Sequence, residues 1–175
     1  MTDKPEIELV RSAAAGDGDS FCELCSRYYT AMVAIAHSAI GDRHGAEDAA
    51  QEAFARAAVK LGSLRNEKKF GSWLAAICRN AANDIAKKNA RFVGAELIDD
   101  VAVEVKDDGD IETVRLAMRQ LPDKAREVTY LRYYDGLTYE RISKVLGISE
   151  QAINGRLRRA RRKLAVYLKG RGFEV

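Results

Sequence analysis

The sequence predicts an all-α protein built as two small helical domains joined by an acidic flexible linker, the second domain containing a helix-turn-helix. Three observations carry that reading. Apolar residues recur at helical spacing on both flanks of the chain. Only two prolines occur, Pro5 and Pro122, and both lie outside the periodic stretches. Charge, finally, divides the chain in three. Residues 1–93 hold 13 Lys/Arg and 12 Asp/Glu, residues 94–112 hold 1 Lys and 8 acids, and residues 113–175 hold 15 Lys/Arg and 6 acids. The overall net charge of +3 conceals this layout. The acidic middle reads as a self-repelling, solvated tether. Its alternating Val101, Val103 and Val105 lack a second strand to pair with.

The elements follow in order. In the first domain Phe21, Leu24, Cys25, Tyr28, Met32 and Ile35 mark one buried helical stripe. After the turn Gly41–Gly45, Ala46, Ala49, Ala50, Ala53, Phe54, Ala57 and Leu61 mark a second, whose small side chains let helices approach closely. A third follows Gly71-Ser72: Trp73, Leu74, Ile77, Cys78, Ala81 and Ile85. The second domain starts with Ile111, Val114, Met118 and Leu121 and continues after Pro122 with Ala125, Val128 and Leu131. Thr138 then caps a short helix with inner face Ile142, Val145 and Leu146. Gly147 supplies a left-handed turn, and Ser149 caps the last helix, on which Ile153, Leu157, Ala160 and Leu164 face inward.

Composition excludes several classes. Hydrophobic residues at 47% and charged residues at 31% suit a folded domain rather than a disordered chain. The longest apolar run, Ala31–Ala36, falls far short of the roughly 20 residues of a membrane span, so no membrane insertion is expected. The start, Met1-Thr-Asp-Lys-Pro-Glu, is not an export signal, and three cysteines form no disulfide framework; both fit a cytoplasmic protein. Cys22 and Cys25 resemble half a zinc site, but Cys78, His37 and His44 offer no second ligand pair, and buried free thiols are the default. No glycine-rich phosphate loop or nucleophile–base arrangement occurs, so neither an enzyme nor a cofactor is expected.

Two surfaces suggest nucleic acid. The last helix presents Gln151, Asn154, Arg158, Arg161 and Arg162, flanked by Arg156, Arg159 and Lys163. In a major groove Gln and Asn pair with adenine and Arg with guanine, while flanking cations meet phosphates. The third helix of the first domain carries Asn80, Asn83, Asp84, Lys87 and Arg91 on one face, with Arg79 and Lys88 beside it. Before it lies Arg65-Asn-Glu-Lys-Lys-Phe-Gly-Ser72, where Lys69 and Phe70 combine a cation with an aromatic ring suited to stacking unpaired bases. On residue type alone Phe70 and Trp73 serve equally as core, and Trp73 is read as core.

Together the motifs Ala46-Glu-Asp-Ala-Ala-Gln-Glu-Ala-Phe-Ala-Arg56, Phe70-Gly-Ser-Trp-Leu-Ala-Ala-Ile-Cys-Arg-Asn80 and Leu121-Pro122 with Glu127-Val128 leading into Tyr139–Leu157 resemble a bacterial RNA polymerase sigma factor of the sigma-70 family. The compact two-domain form is similar to its extracytoplasmic-function (ECF) group. The resemblance implies a region 2-like domain at 1–93, a linker at 94–112 and a region 4-like domain at 113–175. It implies core RNA polymerase (β′ clamp and β flap), promoter DNA and an anti-sigma factor as partners. Asp48, Gln51, Glu52 and Arg56 fall where the family docks on the clamp. Lys69, Phe70, Arg79, Asn80, Asn83, Asp84, Lys87 and Lys88 fall where it reads the −10 element, and Gln151, Asn154, Arg156, Arg158, Arg159 and Arg162 where it reads the −35 element. The basic run Lys87-Lys88-Asn89-Ala90-Arg91 is thinner than in many relatives, and Asn154-Gly155 replaces a more usual basic-then-serine pair. A stand-alone helix-turn-helix repressor needs a dimer seam that the carboxy terminus lacks. A pure adaptor remains the other alternative.

Overall fold

The computed structural model describes residues 4–95 and 109–173. The bulk of the acidic linker, and with it Val101, Val103 and Val105, lies outside the described residues. Among the described residues eight α-helices follow one another: α1 (Glu6–Ala14), α2 (Gly18–Ile40), α3 (Arg43–Lys60), α4 (Phe70–Ala95), α5 (Gly109–Arg119), α6 (Asp123–Thr129), α7 (Tyr139–Leu146) and α8 (Glu150–Lys169). Short 3₁₀ turns at Leu61–Ser63 and Glu67–Lys69 join α3 to α4, and a π-type turn at Tyr130–Tyr134 extends α6. Among the described residues there is no strand.

Local chemistry sets the boundaries. Asp17 caps α2 by accepting from the Asp19 N–H, and the Ser20 hydroxyl donates to it at 2.6 Å, which holds the Asp17 carboxyl below its usual range. Gly41 ends α2 in the left-handed region at φ 90°. Asp42 starts α3 by accepting from the Gly45 N–H at 2.7 Å. Thr138 and Ser149 cap α7 and α8 as the sequence predicts, and Gly147 between them sits at φ 65°. Helix α4 begins at Phe70, so Gly71 and Ser72, which the sequence places ahead of the third stripe, lie in its first turn.

Packing follows the stripes. Ala46, Ala49, Ala50, Ala53 and Ala57 are fully buried, and their small size seats α3 against both α2 and α4. Helix α1, which the sequence reading passed over, buries Leu9 and Val10 against α2. The predicted inner face of α5 is corrected in part: Ile111 and Val114 are exposed, Ala117 is buried, and Met118 with Leu121 beyond the helix end joins Ala125, Ala160 and Leu164. The physical reason is local. Helix α5 packs on α8 through Met118 near its carboxy-terminal end, whereas Ile111 and Val114 border an open groove with His37, Tyr130 and Tyr134.

The two helical units do not stand apart. One continuous buried cluster runs from Leu24, Tyr28, Phe70 and Leu74 of the first unit into Val128, Leu131, Ile142, Val145, Ile153 and Leu157 of the second. Polar contacts reinforce it. Arg126 Nε donates to the Ser38 carbonyl at 2.5 Å, and Arg141 Nη2 donates to the Arg27 carbonyl at 2.7 Å.

Candidate nucleic-acid and polymerase interfaces

Helix α8 is amphipathic in the plainest sense. Ile153, Leu157 and Ala160 are buried, whereas Gln151, Asn154, Arg158, Arg159, Arg161, Arg162 and Lys163 are exposed and Arg156 is half-buried. Among the described residues no carboxylate lies within ion-pair distance of Arg156, Arg158, Arg159, Arg161, Arg162 or Lys163. Every acid that pairs elsewhere leaves this helix alone. Six uncompensated cations on one helix create a strongly positive strip, the electrostatic complement of a phosphate backbone. Gly155 lies within the strip, and a β-carbon built there meets only the Arg159 guanidinium, at 3.6 Å.

The α4 face is assembled differently. Asn80, Asn83, Asp84, Lys87 and Lys88 are exposed along it, and Lys69 is exposed in the turn before it. Phe70 is 1% exposed and packs edge-on against Tyr28, with ring centroids 5.3 Å apart. Trp73 is half-buried against the same cluster, in keeping with its reading as core. Arg79 is half-buried, and its Nε donates to Glu127 of α6 at 2.6 Å. The −10 candidates thus form one face, except that Phe70 lies beneath it and Arg79 is engaged across the unit boundary.

On α3, Asp48, Gln51 and Glu52 are exposed opposite the buried alanines, and Arg56 is partly exposed. Arg56 binds Glu52 at 2.8 Å and reaches Asp84 of α4 at 3.4 Å, tying this face to the neighbouring one. Val59 continues the Glu52–Arg56 stripe and is 86% exposed. It is an apolar patch beside the charged rim that the sequence reading missed. The signal was available, since Val59 falls off the buried alanine period.

Two further residues carry contacts to which the sequence assigns no role. Glu127 is buried on α6, and Arg141 on α7 stacks 4.4 Å over the Tyr28 ring while its Nη1 lies 3.7 Å from Glu6. Tyr28 also donates its hydroxyl to Glu6 at 2.8 Å, and burial pushes its own pKa upward. Of the three cysteines Cys22 is exposed, Cys25 half-buried and Cys78 buried, so the expectation of buried thiols is corrected for Cys22. Burial raises Cys25 to about 11 and Cys78 to about 12, so both are thiols at neutral pH. Among the described residues no group of three or more His, Cys, Asp or Glu is placed to hold a metal ion, and no helix is long and apolar enough to cross a membrane.

Between the units a cleft of about 530 Å³ is lined by Arg79, Asn83, Lys124, Glu127 and Arg156, among others. Candidates from both nucleic-acid faces therefore border one cavity.

Comparison with known proteins gives the family. Residues 24–92 match the sigma-70 region 2 family and residues 111–164 match sigma-70 region 4. The chain is 29% identical to the ECF RNA polymerase sigma factor SigW of Bacillus subtilis, over 91% of this chain and 95% of that protein. It is 31% identical to the ECF sigma factor SigM of the same organism, over 85% of this chain and 95% of that protein. Among solved structures, CnrH in complex with the cytosolic domain of CnrY aligns at TM-score 0.65 and 26% identity, over 94% of this chain and 97% of that one. The sigma factor RpoE in complex with the anti-sigma factor NepR from Bartonella quintana aligns at TM-score 0.52 and 26% identity, over 84% of this chain and 97% of that one. With regions 2 and 4 both matched in order across the same helices, this chain belongs to the sigma-70 family of RNA polymerase sigma factors, in its ECF group.

Proposed function

We propose that this chain binds core RNA polymerase and directs it to promoters by dividing the task between its two units. Helix α8 enters the major groove at the −35 element, with Gln151, Asn154, Arg156, Arg158, Arg159 and Arg162 supplying base and phosphate contacts. The α4 face, with Lys69, Arg79, Asn80, Asn83, Asp84, Lys87 and Lys88, captures non-template bases of the −10 element, and Phe70, buried against Tyr28, supports that face from beneath. Opening each base-pair step costs about 1.4 kcal/mol, so captured bases must hold a bubble that the polymerase helps to open. Helix α3 docks on the polymerase β′ clamp through Asp48, Gln51, Glu52 and Arg56 around exposed Val59, while the second unit meets the β flap. Residues 1–93, 94–112 and 113–175 serve as melting domain, tether and duplex reader.

The single observation that carries this reading is the row of six α8 cations with no carboxylate partner among the described residues, presented on a capped helix-turn-helix. The experiment is transcription in vitro on fragmented genomic DNA with core polymerase, with and without this chain. Discrete new start sites sharing upstream elements are the expected result. Core binding without new starts overturns the reading in favour of an adaptor, and tight specific duplex binding by a free dimer favours a repressor. Regulation by an anti-sigma factor in the cytoplasm belongs to the same proposal, supported by the complexes in which CnrH and RpoE were solved.

A further inference from the structure

We propose that the second unit carries a ligand site of its own: the groove between the α5–α6 junction and α8 binds an anionic amphiphile, a carboxylate on an acyl chain. The site stands on α5, α6 and α8 alone, whereas its consequence for promoters rests on the reading of α8 as the −35 surface.

The groove encloses about 660 Å³, within the range of pockets that hold small molecules. Its floor is a small cluster of Leu121, Ala125 and Ala160, backed by Met118 and Leu164 and separate from the main core. Two of those three floor residues are alanines, so no long side chain fills the space between the helices. Val166, 71% exposed, extends the apolar surface at one end. From Arg156 to Val166 helix α8 rises about 15 Å along the groove at 1.5 Å per residue.

The rim is wholly cationic. Lys124, Arg156, Arg159, Arg162 and Lys163 line the groove, and no acid does. The neighbouring Asp123 is held by Arg126 at 2.7 Å. The amides Gln151 and Asn154, which suit base edges, do not border it. Asn154 and Arg156 stand about 200° apart round the helix, so α8 has a groove side distinct from its amide side. A bare polyanion leaves this floor wet, and an uncharged apolar ligand leaves five cations unanswered. An apolar body with an anionic head satisfies both. Arg156, Arg159 and Arg162 also serve the proposed −35 contacts, so a head group that neutralises them competes with DNA phosphates.

The test titrates the full chain with monomeric dodecanoate, followed by methyl NMR signals. Saturable one-to-one binding is expected, with shifts at Ala125, Ala160 and Val166. Butanoate has the charge without the chain, and dodecyltrimethylammonium has the chain with the opposite charge. Each is expected to bind at least about 10-fold more weakly. Val166→Glu and Lys124→Glu, neither a proposed DNA or polymerase contact, are each expected to weaken dodecanoate about 10-fold at unchanged helical circular dichroism. Should one variant lose helicity, the other carries the same readout. Binding without saturation, equal binding of the cationic amphiphile, or undiminished binding by the folded variants overturns the proposal. Association with anionic vesicles without monomer binding also overturns it, assigning the cations to a membrane surface. Saturating dodecanoate is expected to weaken binding of a duplex bearing a mapped upstream element about 10-fold, in wild type but not in Val166→Glu. Unchanged duplex affinity at saturation overturns the competition. Failure of the promoter reading is distinguishable: no upstream element is then mapped, while dodecanoate binding and its loss in the variants persist.

Discussion

Asp135 is a carboxyl without compensation. Its Oδ2 is buried and has no hydrogen-bond partner, and desolvation alone pushes its pKa up from 3.8 to about 6. A carboxyl whose folded pKa exceeds its unfolded one binds protons more tightly when folded, so its ionisation opposes folding. The penalty is absent below about pH 4, grows between 4 and 6, and is fully present at pH 7. Asp135→Asn is therefore expected to stabilise the chain at pH 7 by about 1 kcal/mol, discounted because solvent reaches half of the side chain. Thermal melts at pH 7 and pH 4 check this, with the gap between variant and wild type closing at the lower pH. Gly155 is a second residue with a definite cost. Alanine there raises helix stability by about 1 kcal/mol and meets no obstacle except a mobile guanidinium. If the glycine serves close approach to DNA, Gly155→Ala is expected to raise the melting temperature while weakening transcription from −35-dependent promoters. Equal use of those promoters would assign the glycine no role in the groove.

At the scale of elements, α3 illustrates how one helix serves both packing and recognition. Its alanine stripe is wholly buried, leaving the opposite face free of structural duty. Val59→Asp on that free face is expected to leave circular dichroism and melting temperature within about 0.5 kcal/mol of wild type, because the side chain packs on nothing. Core-polymerase affinity is expected to fall about tenfold or more, as for an apolar contact inside a charged rim. Undiminished binding in a pull-down titration would remove Val59 from the docking surface. Elements of this kind were legible in the sequence because their signals are local. Thr138, Gly147 and Ser149 mark the ends of α7 and α8 through bonds made within three or four residues, and the alanines of α3 repeat at helical spacing. Helix α1 was not legible, since only Leu9 and Val10 of its nine residues are buried, too few to establish a period. Glu127 and the burial of Phe70 were hidden for another reason. Each depends on residues in the other unit, and nothing near Glu127 in sequence marks it as the partner of Arg79.

For the whole molecule, the issue is whether two units linked by a tether behave as one body. A chain of two independent domains confines damage: a cavity in one leaves the other's opening equilibria unchanged. The continuous buried cluster predicts the opposite here. Phe70 belongs to the first unit, yet the backbone of α7 closes over the turn that carries it, and Ile142 and Val145 share its cluster. Phe70→Ala removes a buried ring and is expected to destabilise the first unit by about 3–5 kcal/mol. Part of that loss must reach α7, because its inner face loses the surface that Phe70 supports. Amide hydrogen exchange resolves the two cases by location. In the free chain, Phe70→Ala is expected to speed exchange in Tyr139–Leu146 as well as in α2 and α4, while the distal end of α8 keeps its wild-type rates. Faster exchange confined to residues before 95 in the free chain would mean that the shared cluster carries no energetic coupling.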